Sequence, residues 1–159
     1  MDINGKIDNL VNSFTKWEKF SDRNKLQLTR LPGVYAIALS SKDISGTAFS
    51  WRCEVIYIGM TNAKDGLKSR LQQFDYTIKG GKGHGGAERV RYKHPDYDRL
   101  VSQLYISISP RQCDVLSNKP SDLRIMGEVA KDEYECLAMF VEEFGQLPEF
   151  NDKKRSRKK

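Results

Sequence analysis

Cysteine is scarce in this chain. Cys53, Cys113 and Cys136 are too few and too scattered for a disulfide framework or a Cys-x-x-Cys zinc site, and Cys53 and Cys136 sit in apolar stretches that predict buried free thiols. Long apolar runs are missing as well. Nothing approaches the roughly 20 residues needed to span a bilayer, and the opening MDINGKIDNL lacks the charged-then-apolar layout of a secretory signal. These absences predict a soluble, cytoplasmic protein with no membrane contact. No internal repeat occurs. The glycine cluster GGKGHGG at 80–86 is not a phosphate-binding P-loop, because it lacks the GxxxxGK[ST] order and a leading apolar strand.

What is present suffices for one core. A chain of 159 residues that is 38% hydrophobic and 10% aromatic supports a single domain, placed at 1–151 with an N-terminal covering helix. The net charge of +6 is concentrated at the end. The last eight residues, DKKRSRKK, hold six of the 27 Lys/Arg and one of the 21 Asp/Glu, so residues 1–151 carry 21 basic against 20 acidic groups. A nearly neutral body with a basic, flexible tail at 152–159 suits a polyanionic partner, since each neutralised phosphate releases counterions.

Periodicity outlines the elements. Ile7, Leu10, Val11, Phe14 and Trp17 recur at helical spacing and predict an amphipathic N-terminal helix. LPGVYAIAL and CEVIYIG read as two strands joined by a long polar loop, the second stopped by Gly59. Residues 66–77 read as a helix with Leu67, Leu71 and Phe74 on one face, and RLVSQLYISISP as a third strand ending at Pro110. The segment from Ser121, the N-cap candidate, to Gly145 reads as a long helix. The order predicts an α+β fold: a small three-stranded, largely antiparallel sheet flanked by helices.

Gly33-Val34-Tyr35 on one strand, Tyr57-Ile58-Gly59 on the next, Arg70 on the following helix, acidic residues on a late helix and Asn151 after LPEF together resemble the GIY-YIG nuclease family. The resemblance spans residues 32 to 151. It implies a metal-dependent DNA endonuclease, with Tyr35 or Tyr57 activating water, Arg70 holding the scissile phosphate, and a helix glutamate binding one divalent ion, Mg²⁺ or Mn²⁺. The gaps between Tyr35 and Tyr57 and between Gly59 and Arg70 are longer than the family's usual ones, as loop insertions make them.

The residue types suit that chemistry. Phosphodiester hydrolysis needs a deprotonated water, positive charge on the phosphoryl oxygens and neutralisation of the leaving oxyanion. Tyrosine, with a pKa of about 10, serves as a base only beside cations, and Gly59 at the strand end would let a phosphate approach the backbone. Relatives place the metal-binding glutamate about a dozen residues before the terminal Asn, where this chain has Met139. Helical phase points instead to Glu133, which falls in the seam of Leu123, Met126, Val129, Leu137, Phe140 and Phe144; Glu135 is the reserve. Gln73 and Phe74 stand where some relatives carry a histidine. His84 is the candidate substitute, on a flexible basic loop where Lys82, His84, Arg89 and Arg91 would touch the DNA backbone, unless His84 lies near the cleft. Lys68 is a possible backbone-phosphate contact, and Asn151 a nucleic-acid contact or a brace for the site. Met139 and the missing histidine also suit a second reading, a catalytically decayed nucleic-acid-binding module of the same fold.

Overall fold

Along strand β2 (Gly33–Leu39) the residues alternate between two cores, which is how a sheet buried on both faces divides its side chains. Tyr35 and Ile37 enter one core with Leu67, Leu71, Phe74, Val90 and Phe150. Val34, Ala36 and Ala38 enter the other with Phe14, Trp17, Phe49, Met139 and Phe140. The computed structural model of the chain describes residues 3–158, and the side chains of residues 3, 4 and 7 lie outside that description. Ile7 of the predicted helical stripe is therefore outside it.

The architecture is α+β, with one open antiparallel sheet of four strands rather than the three expected. The order is β1-β4-β2-β3, with β1 at Glu18–Lys19, β3 at Val55–Thr61 and β4 at Leu104–Pro110. The extra strand, β1, escapes periodicity because it has only two residues, pairing Glu18 with Ile106 and Lys19 with Tyr105. Trp17 accordingly lies outside the N-terminal helix α1 (Ile3–Asn12) and is fully buried. The long β2–β3 loop closes the second core: Phe49 stacks on Phe14 at 4.1 Å between ring centroids, and Trp17 exchanges backbone hydrogen bonds with Gly46 and Thr47.

Other boundaries shift for local reasons. Strand β3 does not stop at Gly59 but runs to Thr61, and residues 97–101 form a short helix ahead of β4. The register between β2 and β3 leaves Ile56 as an extra residue on β3, a bulge that turns both Ile56 and Tyr57 to the first core. Helix α2 (Gly66–Ile78) and α3 (Gly85–Lys93) cover that core, and α4 is Tyr97–Val101. Helix α5 (Pro120–Phe144) packs on β2 and β3. Its N-cap is Lys119, not Ser121, because Pro120 fits the first turn, where its missing N–H costs nothing. Gly145, at φ 76°, supplies the left-handed C-cap. Cys136 is buried as expected, whereas Cys53 is exposed at a turn. Residues 152–158 fold back on the domain: Ser156 is buried and Lys158 pairs with Glu88 of α3 at 3.4 Å. Among the described residues no helix is long and apolar enough to cross a membrane.

Candidate active site

Tyr35 and Gly59 are cross-strand partners, as are Ile37 and Tyr57, so the two tyrosines lie on the same face of adjacent strands. Their ring centroids are 6.1 Å apart. Each ring lies over a glycine. A Cβ at Gly59 would overlap Tyr35 Cζ and Oη, and a Cβ at Gly86 would overlap the ring of Tyr57. Gly59 thus makes room for Tyr35, which takes the place of the close phosphate approach expected from the sequence. Tyr35 is fully buried, whereas Tyr57 is only half-buried.

His84 completes the cluster. It is buried rather than mobile, because it caps helix α3: its Nδ1 accepts from the Ala87 N–H at 3.2 Å. Its Nε2 lies 2.7 Å from Tyr35 Oη, and its ring meets those of Tyr57 and Phe74 edge-on at 5.4 and 5.1 Å. The small residues that follow, Gly85-Gly86-Ala87, are the signal that could have identified His84 as a cap: Gly86 lets the helix start directly under the Tyr57 ring.

Arg70 projects from α2, half-buried, and its Nη1 donates to Gln73 Oε1 at 2.6 Å. Its charge reaches every member of the cluster. Burial raises Tyr35 well above the usual tyrosine value and the Tyr57 phenolate adds to this, while Arg70 opposes it. Burial also raises Tyr57, less strongly, with Arg70 and Arg89 pulling it down and Glu133 pushing it up. His84 is held down to about 3, by burial first and then by Arg70 and Arg89.

Glu133 comes from α5. Burial raises its carboxyl and Arg70 opposes the shift, yet no hydrogen bond or ion pair engages it among the described residues. A half-buried carboxylate left in this state suits a hard cation, which prefers oxygen ligands. No three His, Cys, Asp or Glu side chains converge among the described residues. A divalent ion held here would lean on Glu133, with water and phosphate oxygens filling its remaining positions. Glu135 is not among the main charges acting on either tyrosine. Met139, in the position where the resemblance would place the glutamate, is core. Leu123, at the start of the predicted seam, is 51% exposed, but Val129 and Phe140 on either side of Glu133 are buried.

The remaining expected residues divide. Asn151 braces the site: its Oδ1 accepts from Ile58 N–H and its Nδ2 donates to Ile58 O, both at 2.8 Å, which commits the amide to the strand beside Tyr57 rather than to a ligand. Lys68 and Lys82 are exposed. Arg91 is turned inward and donates to the carbonyls of Thr77 and Gly81, at 2.7 and 2.6 Å. An open cleft of about 400 Å³, lined by Met60 to Ala63, Ser69, Arg70 and Gln73, gives access to the guanidinium. Comparison with known proteins finds no matching family model, no matching curated protein and no matching solved structure.

Proposed function

We propose that this chain is a divalent-metal-dependent DNA endonuclease of the GIY-YIG kind, acting inside the cell. The observation that carries the reading is convergence: Tyr35, Tyr57, Arg70 and Glu133 come from four separate elements and their charges act on one another, and Arg70 among them lines an open cleft. Four such groups are the set that hydrolysis of a phosphodiester requires.

In this reading the Arg70 guanidinium makes a forked contact with the non-bridging oxygens of the scissile phosphate and balances the charge that builds on them. A tyrosine phenolate takes one proton from water as the water oxygen bonds to phosphorus and the bond to the leaving ester oxygen breaks. Glu133 would hold the ion, which supplies positive charge at the departing oxygen. Asn151 keeps the Tyr57 strand in register. Lys68, Lys82 and the basic end of the chain supply phosphate contacts to DNA on either side of the cleft.

The test is relaxation of supercoiled plasmid by purified protein with Mg²⁺ or Mn²⁺, and its loss in EDTA. Protein that binds DNA but leaves plasmid intact with every divalent ion would favour the decayed binding module, for which the core position of Met139 speaks.

A further inference from the structure

His84 has both ring nitrogens engaged on the buried side of the site. A backbone N–H only donates, so Nδ1, facing the Ala87 amide, is an acceptor and carries no proton. In the neutral ring the proton then sits on Nε2 and is donated to Tyr35 Oη at 2.7 Å. With its oxygen accepting from His84, Tyr35 has its own proton free to point away. Tyr57, on the next strand, is the tyrosine of the pair that is partly exposed.

We propose that His84 is a positioning residue, a fixed donor to Tyr35 that takes no proton, and that the one-way chain from Ala87 N–H through His84 and Tyr35 leaves Tyr57 as the base facing water. The last link rests on the nuclease reading; the direction of the chain does not. The charged groups around the chain act in the same sense. Arg70 from α2 and Arg89 from α3 disfavour an imidazolium at His84. At Tyr57 burial raises the hydroxyl above the usual tyrosine value and Glu133 from α5 adds to the rise, while the same two cations and the Tyr35 hydroxyl oppose it. A second proton on Nδ1 would also face the Ala87 N–H. In the nuclease reading Tyr57 gives its proton outward to solvent before it takes one from the attacking water.

Two measurements test this, one of which needs no cleavage. Nitrogen-15 NMR of the imidazole in the intact protein should show the Nε2–H form with no titration between pH 8 and pH 5. An Nδ1–H form, or a titration in that range, overturns the proposal and leaves the nuclease reading untouched. In the plasmid assay, His84→Gln keeps an amide donor near the Nε2 position and cannot take a proton. It should cleave within about tenfold of the parent, with the same rise in rate from pH 7 to pH 9, while His84→Ala falls by roughly 10²-fold. A His84→Gln protein that folds but is as inactive as His84→Ala, or a parent profile with an inflection near pH 6.5 that His84→Gln removes, would make the histidine a base and contradict the proposal. A parent that never cleaves counts against the nuclease reading alone, and the NMR result still decides the direction of the chain.

Discussion

On the face that carries Val34, Ala36 and Ala38, the sheet meets Phe14, Trp17, Phe49, Trp51 and Phe140, an aromatic cluster held by shape. On the face that carries Tyr35, the same strand meets a histidine whose two nitrogens are both bonded, an arginine, and two glycines cut to fit tyrosine rings. The first face tolerates loose ends. Trp17 and Trp51 each bury an indole N–H with no partner, a cost of about 1–3 kcal/mol apiece that the surrounding apolar burial must offset. On the second face Tyr35 and His84 satisfy each other. Both faces bury an apolar core, the second adds side chains held in fixed orientation, and a single alternating strand keeps the two apart.

The contrast is broken most sharply at Tyr57. Tyr57→Phe removes one hydroxyl and no packing, so cleavage should fall by roughly 10²- to 10⁴-fold while the melting curve stays where it is. Phe49→Ala is the converse. It should cost about 3–5 kcal/mol of stability in urea unfolding, yet leave the cleavage rate per folded molecule unchanged. Gly59→Ala should fail to separate the two faces: the added methyl meets the Tyr35 ring, so about 1–3 kcal/mol of stability and most of the activity go together.

Acid should unsettle the site face selectively. An unfolded histidine titrates near pH 6.5 and folded His84 near 3, so between those values the unfolded chain holds the extra proton. Stability from this source is fully present above about pH 6.5 and is lost as the pH falls toward 3. His94 is also lowered, by burial and Lys93, and acts in the same direction. Replacing His84 with Gln should flatten the fall in urea midpoint between pH 6 and pH 4; an unchanged slope would mean that His84 is not held neutral.

The strands behind this division were legible in the sequence because the short apolar runs LPGVYAIAL and CEVIYIG mark them directly; their division between two cores was not. Arg70 was singled out by the family resemblance, and Glu133 by an apolar seam with one carboxylate in it. Three further features were not legible. Strand β1 is too short to have a period. His84 reads as part of a mobile loop because its glycines look like slack, when one of them, Gly86, clears space under Tyr57. The function of Gly59 depends on cross-strand register, which no local pattern encodes.

The smallest predicted effect and one of the largest meet on helix α5. Glu133 and Glu135 are two residues apart, yet the charge of Glu133 acts on both tyrosines while Glu135 is not among the main charges there. The most direct test of a four-element site is Mg²⁺-dependent plasmid cleavage by Glu133→Gln beside Glu135→Gln at matched folded concentration. Loss of cleavage and of metal affinity in Glu133→Gln, with Glu135→Gln indistinguishable from the parent, is the predicted result. An active Glu133→Gln protein beside an inactive Glu135→Gln would contradict it and place the chemistry elsewhere on the helix.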